Sequence, residues 1–137
     1  MKRQRPFWVW IICVFTVIGV AMSVWSLYVI ESDSLALNDA QSRYFNGIGL
    51  LDHALTLFGM GLSAAAAITL FTLNKAAVNL FLAGLVFTIL NMAYAAIATP
   101  WLAAVGAAGA IGSVVGFGIS VVIYLYARSL HKREILT

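Results

Sequence analysis

Residues 7–30 read FWVWIICVFTVIGVAMSVWSLYVI, an unbroken run of 24 residues without a formal charge. A helix rises about 1.5 Å per residue, so about 20 apolar residues are enough to cross the hydrocarbon core of a bilayer. A transmembrane strand would alternate polar and apolar residues instead, and this run is apolar on every side. The stretch therefore predicts a membrane-spanning helix.

The rest of the chain repeats this pattern. Between His53 and Ala127 the only formal charge is Lys75, and 9% of all residues are charged, against about 25% in soluble domains. Four segments meet the length criterion for a spanning helix, at about residues 7–30, 48–73, 76–98 and 101–126. Polar links separate the first three, and Thr99-Pro100 separates the last two. We predict an all-α membrane protein with a single domain over residues 1–137.

The basic residues predict how the chain is oriented, because cytoplasmic loops carry an excess of Lys and Arg. Arg43 alone falls on the outer side, beside Glu31, Asp33 and Asp39. The inner side would hold Lys2, Arg3, Arg5, Lys75, Arg128, Lys132 and Arg133. Both termini are then cytoplasmic, and the helices form an antiparallel up-down-up-down bundle.

Each predicted span carries a stripe of small or weakly polar residues spaced by three or four positions. Lipid tails are as apolar as leucine, so membrane helices associate through close backbone approach, packing and interhelical hydrogen bonds. The stripes hold Thr16, Gly19, Ser23 and Ser26; Asp52, Thr56, Gly59 and Ser63; Gly84, Thr88, Asn91 and Ala95; and Gly106, Gly109, Ser113, Gly116 and Ser120. We predict that the stripes face inward. The expected helix-packing positions are Gly19, Gly59, Gly84, Gly109 and Gly116.

Asp52 is the sharpest candidate for a ligand or ion site, because an ionisable group inside a membrane helix suggests function. Judged by depth, other polar side chains could join it in the outer half of the bundle, namely Ser23, Ser26, His53, Thr56 and Asn91. Such a cluster would take up a proton, a cation or a polar ligand. The alternative is structural, and we favour it. Asp52 falls in the first turn of its helix, where the macrodipole favours a negative charge.

The other two polar candidates have plainer interpretations. An amide at the depth of Asn91 needs a hydrogen-bond partner, so we expect a bond to a neighbouring helix, with ligand contact as the alternative. His53 lies about 100° around the helix from Asp52 and is interpreted as interfacial. A single membrane histidine near one acid builds neither a haem nor a metal site. We therefore predict no cofactor and no metal.

Several function classes lack the residues that they require. Thiol oxidoreductases need cysteine pairs, and Cys13 is the only cysteine. Small multidrug exporters carry a glutamate inside the first helix, and residues 7–30 have none. Intramembrane proteases need a Ser/His pair or two membrane aspartates, and the predicted spans offer only Asp52. Nucleic-acid binding is implausible because the basic residues are split between short tails. We predict no catalytic residue.

The functional prediction is a non-enzymatic accessory or interaction subunit. Its partners would be membrane lipids, other membrane helices or a second copy, with Gly112-x-x-x-Gly116 as a further packing pair inside or between chains. The alternative is a small transporter or ligand-binding sensor that uses the polar cluster around Asp52. An enzyme acting on a lipid-soluble substrate ranks third.

Part of the sequence resembles a group of small bacterial four-helix inner-membrane proteins of unassigned function. The resemblance covers about the last half of the chain and rests on LNKAAVNLF at residues 73–81, Asn91, WLA at 101–103 and YLYARSLHKR at 124–133. It implies a multi-pass protein of the bacterial inner (plasma) membrane. It brings no catalytic residues with it.

Overall fold

The computed structural model describes residues 6–31, 39–98 and 101–136, and these residues form five helices. They are α1 (Phe7–Glu31), α2 (Asp39–Asn46), α3 (Leu50–Phe71), α4 (Ala76–Ala98) and α5 (Trp101–Lys132). Four of them contain a stretch long and apolar enough to cross a membrane, namely Phe7–Ser26, Leu50–Phe71, Ala76–Ala98 and Trp101–Lys132. The prediction of an all-helical protein with four membrane-length helices is confirmed for this part of the chain.

Some predicted features fall outside the described residues. Among the groups used to orient the chain, these are Asp33 and the basic residues Lys2, Arg3 and Arg5. The Thr99-Pro100 break also lies there, between the last residue of α4 and the first of α5.

The structure departs from the prediction in two helices: α2 was not predicted, and α5 is longer than predicted. The short helix α2 lies in the link that the sequence analysis treats only as a polar segment. Asp39 in its first turn and Arg43 in its last turn match the helix dipole, and Arg43 Nε donates to the Asp39 carbonyl oxygen at 3.1 Å. Helix α5 continues past Tyr126 to Lys132. Charge ends a stretch that can sit in hydrocarbon, but it does not end a helix.

The most densely packed part of the molecule joins opposite ends of successive long helices. A cluster of buried apolar residues brings together the start of α1, the end of α3, the start of α4 and the end of α5. We call it the closed end, and it consists of Val9, Ile12, Leu70, Leu73, Ala77, Ala127, Leu130 and Leu136. At its edge the Trp10 and Phe71 rings meet edge to face at 4.8 Å, and the Cys13 thiol donates to the Ala67 carbonyl oxygen at 3.5 Å.

Helix α3 ends at the closed end in a reverse turn that uses a leucine where glycine is usual. Leu73 has φ 57°. Its N–H donates to the Leu70 carbonyl at 3.0 Å, and the Asn74 N–H donates to the Thr69 carbonyl at 2.9 Å, the bond pair of a Schellman motif. A left-handed leucine costs about 1–2 kcal/mol. Because Leu73 is buried in the closed end, apolar packing offsets that strain.

Helix α5 ends at the same place with the same turn. Glu134 has φ 56° and donates its N–H to the His131 carbonyl at 3.0 Å, while the Ile135 N–H reaches the Leu130 carbonyl at 3.1 Å. The turn sends the chain back toward the bundle, and Leu136 becomes 1% exposed. The last described residues therefore complete the closed end.

Near its other end, α5 is broken at Gly106. This residue has φ 64° and ψ −172°, a combination that is essentially restricted to glycine. The break brings the helix close to itself, since a Cβ on Gly109 would lie 2.6 Å from the Val105 Cβ. The prediction of one continuous fourth span did not include this break. Gly106 therefore has a backbone role that its place in the small-residue stripe did not indicate.

The long helices pack in chain order, with extensive contacts between α1 and α3, α3 and α4, and α4 and α5. The short α2 packs on α5. Among the described residues, α1 and α5 form no comparable backbone contact. Beyond the closed end, the first and last long helices are therefore joined less closely than the other pairs, and we call this gap the open side of the bundle.

Candidate ligand cavity

A cavity of about 600 Å³ lies between the four long helices, next to the closed end. Each helix contributes part of its small-residue stripe together with larger apolar side chains. The lining consists of Phe15, Thr16, Gly19, Val20 and Ser23; Leu55, Thr56, Gly59, Met60, Leu62, Ser63 and Ala66; Leu80, Phe81, Gly84, Leu85, Phe87, Thr88, Asn91 and Met92; and Gly116, Ile119, Ser120 and Ile123. The volume falls within the ~300–1,000 Å³ that is usual for small-molecule sites.

The glycines of the stripes leave space rather than bringing backbones together. A Cβ placed on Gly19, Gly84 or Gly116 would meet no heavy atom within 4 Å. Gly59 is different, because its Cβ would lie 2.9 Å from an edge carbon of the Phe87 ring. That ring lies between α3 and α4 and packs on Phe58 with centroids 5.2 Å apart. A large side chain thus fills the space beside Gly59, while Gly19, Gly84 and Gly116 face open volume.

Five of the six hydroxyl groups in the lining donate their hydrogens to their own helices, and the sixth, Ser63, forms no hydrogen bond with the described residues. Thr16, Ser23, Thr56, Thr88 and Ser120 each donate to the carbonyl oxygen four residues earlier, at 2.8 to 2.9 Å. This arrangement satisfies each of these hydroxyl hydrogens in an apolar medium without a second helix. The hydroxyl oxygens keep lone pairs that can accept a hydrogen bond from a ligand.

Asn91 is the amide of the cavity, and it offers more spare hydrogen-bond donors than the hydroxyl groups around it. Its side chain is half-buried and lines the cavity, and the described residues form no hydrogen bond with its amide. The amide offers two N–H donors and one carbonyl acceptor. The interhelical bond expected for Asn91 is not formed within this part of the chain.

Asp52 lies outside the cavity and stabilises the start of α3. It occupies the first turn, as the structural interpretation expects, and its Oδ2 accepts a hydrogen bond from the Gly49 N–H at 2.8 Å. This satisfies a donor at the helix N-terminus and places the carboxylate where the helix dipole favours it. The geometry therefore supports the structural role that the sequence analysis favours.

The carboxylate of Asp52 also acts on the short helix α2. Burial raises the pKa of the Tyr44 phenol above its ordinary value of 10.0, and the negative charge of Asp52 raises it further. Both causes disfavour the phenolate, burial more strongly. Asp52 is therefore coupled electrostatically to α2 rather than to the residues that line the cavity.

The predicted polar cluster is divided between two places. Ser23, Thr56 and Asn91 line the cavity, whereas Asp52, His53 and Ser26 do not. Ser26 is exposed, and its hydroxyl donates to the Met22 carbonyl at 2.9 Å. The ligand role proposed for these six residues and the packing role proposed for the glycines remain predictions.

Some lining residues were predicted only as packing positions. Ser63, Thr88 and Ser120 belong to the stripes, and the shared spacing on four helices was the signal that could have marked them as one surface. Met60 and Met92 carry no such signal. Within the described residues, no three His, Cys, Asp or Glu side chains form a group that could hold a metal ion.

Comparison with known proteins adds no relative. The chain matches no protein-family model, no curated protein and no solved structure.

Proposed function

We propose that this chain is a non-enzymatic, multi-pass membrane protein that binds a small ligand in the cavity between its four long helices. The observation that carries the proposal is the lining itself, which combines about 600 Å³ of open space with the Asn91 amide. Sites of this kind are mostly apolar, with a few polar groups that fix the ligand. The ligand-binding role predicted around Asp52 thus moves to the cavity.

The proposed topology is an antiparallel up-down-up-down bundle with both termini cytoplasmic, in a bacterial inner (plasma) membrane. Two observations support it. The start of α1 and the end of α3 meet at the closed end, and Lys75, Arg128, Lys132 and Arg133 are all exposed beside it. An excess of basic residues marks the cytoplasmic side. The resemblance to small bacterial inner-membrane proteins supports the choice of membrane.

Cysteine labelling tests this orientation. In a Cys13→Ala background, Arg43→Cys should react with a membrane-impermeant maleimide in intact cells. Lys75→Cys should react only after the membrane is permeabilised. The reverse pattern would overturn the proposed orientation, and reaction of both residues from the same side would overturn the up-down arrangement.

Ligand binding is tested by filling the cavity. A side chain on Gly84 would enter open space inside the cavity, whereas Gly112 on α5 has the same open surroundings but does not line it. We expect small molecules that co-purify with the wild-type protein and with Gly112→Leu to fall about tenfold or more in Gly84→Leu, measured by mass spectrometry of extracted ligands. Thr88→Leu provides a second filling variant. Equal recovery from all four folded proteins would contradict the proposal.

A second candidate, the accessory or interaction subunit, is favoured by the open side of the bundle. A helix of a partner, or of a second copy, could pack between α1 and α5, where the described helices form no extensive contact with each other. Crosslinking from α1 and α5 in native membranes would then give a stoichiometric protein adduct. The cavity proposal expects the chain to be recovered without one.

A further inference from the structure

We infer that the cavity takes a neutral, lipid-soluble molecule that carries a hydrogen-bond-accepting oxygen, held by the side-chain amide of Asn91 and entering from the bilayer between α1 and α5. This inference rests on the proposed ligand-binding function and names the chemical class of the ligand. Three properties of the cavity limit that class. They are its charge, its hydrogen-bonding groups, and its size and access.

The first limit is charge. None of the described residues that line the cavity is an acid, a lysine, an arginine or a histidine. Asp52 is absent from the lining and has its own partner at the start of α3. Placing an ion in an apolar site without a counter-charge costs far more free energy than a few hydrogen bonds contribute. The occupant is therefore uncharged.

The second limit is hydrogen bonding. The hydroxyl hydrogens of Thr16, Ser23, Thr56 and Thr88 are already donated to backbone carbonyls, so these groups can offer only acceptor lone pairs. Asn91 supplies two N–H donors, and Ser63 one O–H donor, that no described residue accepts. A ligand that pairs with these free donors must carry a hydrogen-bond acceptor, such as a carbonyl or ether oxygen. A pure hydrocarbon would leave the amide unpaired at a cost of about 1–3 kcal/mol.

The third limit is size and access. An α-helix about 10–12 Å across with a 5.4 Å pitch occupies roughly 400–600 Å³ per turn, so the cavity of about 600 Å³ holds little more than one turn. A partner helix is therefore too large an occupant. Beyond the closed end, the open side lies between two helices apolar enough to cross a membrane, so it would face hydrocarbon in a bilayer. Molecules dissolved in the bilayer have the shortest route inward.

Benzophenone tests these limits, because it is a neutral ketone that inserts into nearby C–H bonds on irradiation, with a preference for methionine. Met60 and Met92 line the cavity, and Met22 is exposed on α1 outside it. The full chain would be irradiated in lipid nanodiscs and the labelled residues identified by mass spectrometry. We expect labelling of Met60 and Met92 to saturate with probe concentration, while labelling of Met22 rises in proportion to it.

Two matched comparisons isolate charge and the amide. The same photophore with a carboxylate, 4-benzoylbenzoate, should label Met60 and Met92 at least tenfold less. Asn91→Leu should raise the half-saturating benzophenone concentration about fivefold to tenfold, the worth of one hydrogen bond. Asn79→Leu, on the same helix but outside the cavity lining, should leave that concentration unchanged.

The outcomes separate this inference from the proposed function. Saturable labelling by both probes to the same extent would overturn the neutral class and leave ligand binding intact. A half-saturating concentration equal in wild type and Asn91→Leu would overturn the role of Asn91. If neither probe labels Met60 or Met92 above the proportional rise seen at Met22, the cavity is not a binding site and both proposals fail. The probe comparison uses the wild-type chain, so it does not depend on whether a variant folds.

Discussion

The closed end and the cavity are built from the same four helices, yet they pack in opposite ways. At the closed end, Ala77 and Ala127 are 0% exposed because leucines surround them, and Leu70 is itself 0% exposed. In the cavity, Gly19 and Gly84 face empty space. Small residues allow helices to approach, but they do not draw them together. Packing is dense where a branched side chain of suitable size fills the gap.

The largest expected difference comes from removing a large side chain from each region. Leu70→Ala should lower the free energy of unfolding by about 2–4 kcal/mol, because it opens a void among fully buried neighbours. Leu85→Ala only enlarges a space that already exists and should cost about 1 kcal/mol or less. Unfolding by sodium dodecyl sulfate in mixed micelles, followed by circular dichroism, measures both. Equal losses would show that the two regions are packed alike.

The next effect tests the break in α5. Gly106→Ala places a Cβ at φ 64° and ψ −172°, which should cost about 1–3 kcal/mol. Gly112→Ala, on the same helix with no atom near its Cβ position, should be neutral or slightly stabilising, since alanine is the better helix former. The same unfolding assay applies. A Gly106→Ala protein as stable as Gly112→Ala would mean that the break is not fixed by the backbone of Gly106.

A smaller effect distinguishes stripe glycines whose Cβ position meets another side chain from those whose Cβ position is empty. Gly59→Ala must displace the Phe87 ring, whereas Gly84→Ala enters open space. We expect Gly59→Ala to be less stable than Gly84→Ala by about 1 kcal/mol. In the Phe87→Leu background this difference should shrink, because the ring is its cause. A difference that persists without the ring would contradict this explanation.

The smallest effect concerns the link between Asp52 and α2. The Tyr44 pKa is raised, so the stability that its protonated phenol contributes is complete below about pH 10 and is lost as the pH rises through the folded-state pKa. Asp52→Asn should lower the Tyr44 pKa part of the way back, because burial, the larger cause, remains. Tyrosinate absorbance, with Tyr44→Phe subtracted, follows the change. Asp39→Asn serves as the control and should leave the Tyr44 pKa in place.

Composition and charge were enough to predict an all-helical chain with four membrane-length helices. Spans without charge, separated by short polar links, admit few other structures in a bilayer, and the helix starts near Phe7, Ala76 and Trp101 agree with the predicted ones. The position of Asp52 in the first turn of a helix could also be predicted, because it depends only on the local sequence.

The cavity could not be predicted, because it depends on distances between helices. Parts of the stripes contribute to the lining, as Thr16, Thr56 and Thr88 show. The stripes do not reveal whether the space between them is filled. That depends on large neighbours such as Phe87, whose ring fills one gap and leaves others open. The stripe pattern alone is compatible with a dry, close-packed core and with a binding site.

The unusual backbone angles also could not be predicted from the sequence. Gly106 looks like another small stripe residue, and its positive φ appears only in three dimensions. Leu73 gives even less warning, because a left-handed turn at a leucine depends on tertiary burial rather than local preference. Both residues lie at helix interruptions, where local sequence preferences are weakest.

The buried cluster at the closed end holds all four long helices, so rotation of one helix about that end would move its residues in proportion to their distance from it. A given angular swing of α1 produces little displacement at Val9, and progressively more at Gly19 and Ser23, farther along the same helix. Such a rotation would widen the cavity at Gly19 and Ser23 while it leaves the contacts of Leu70 and Leu136 in place.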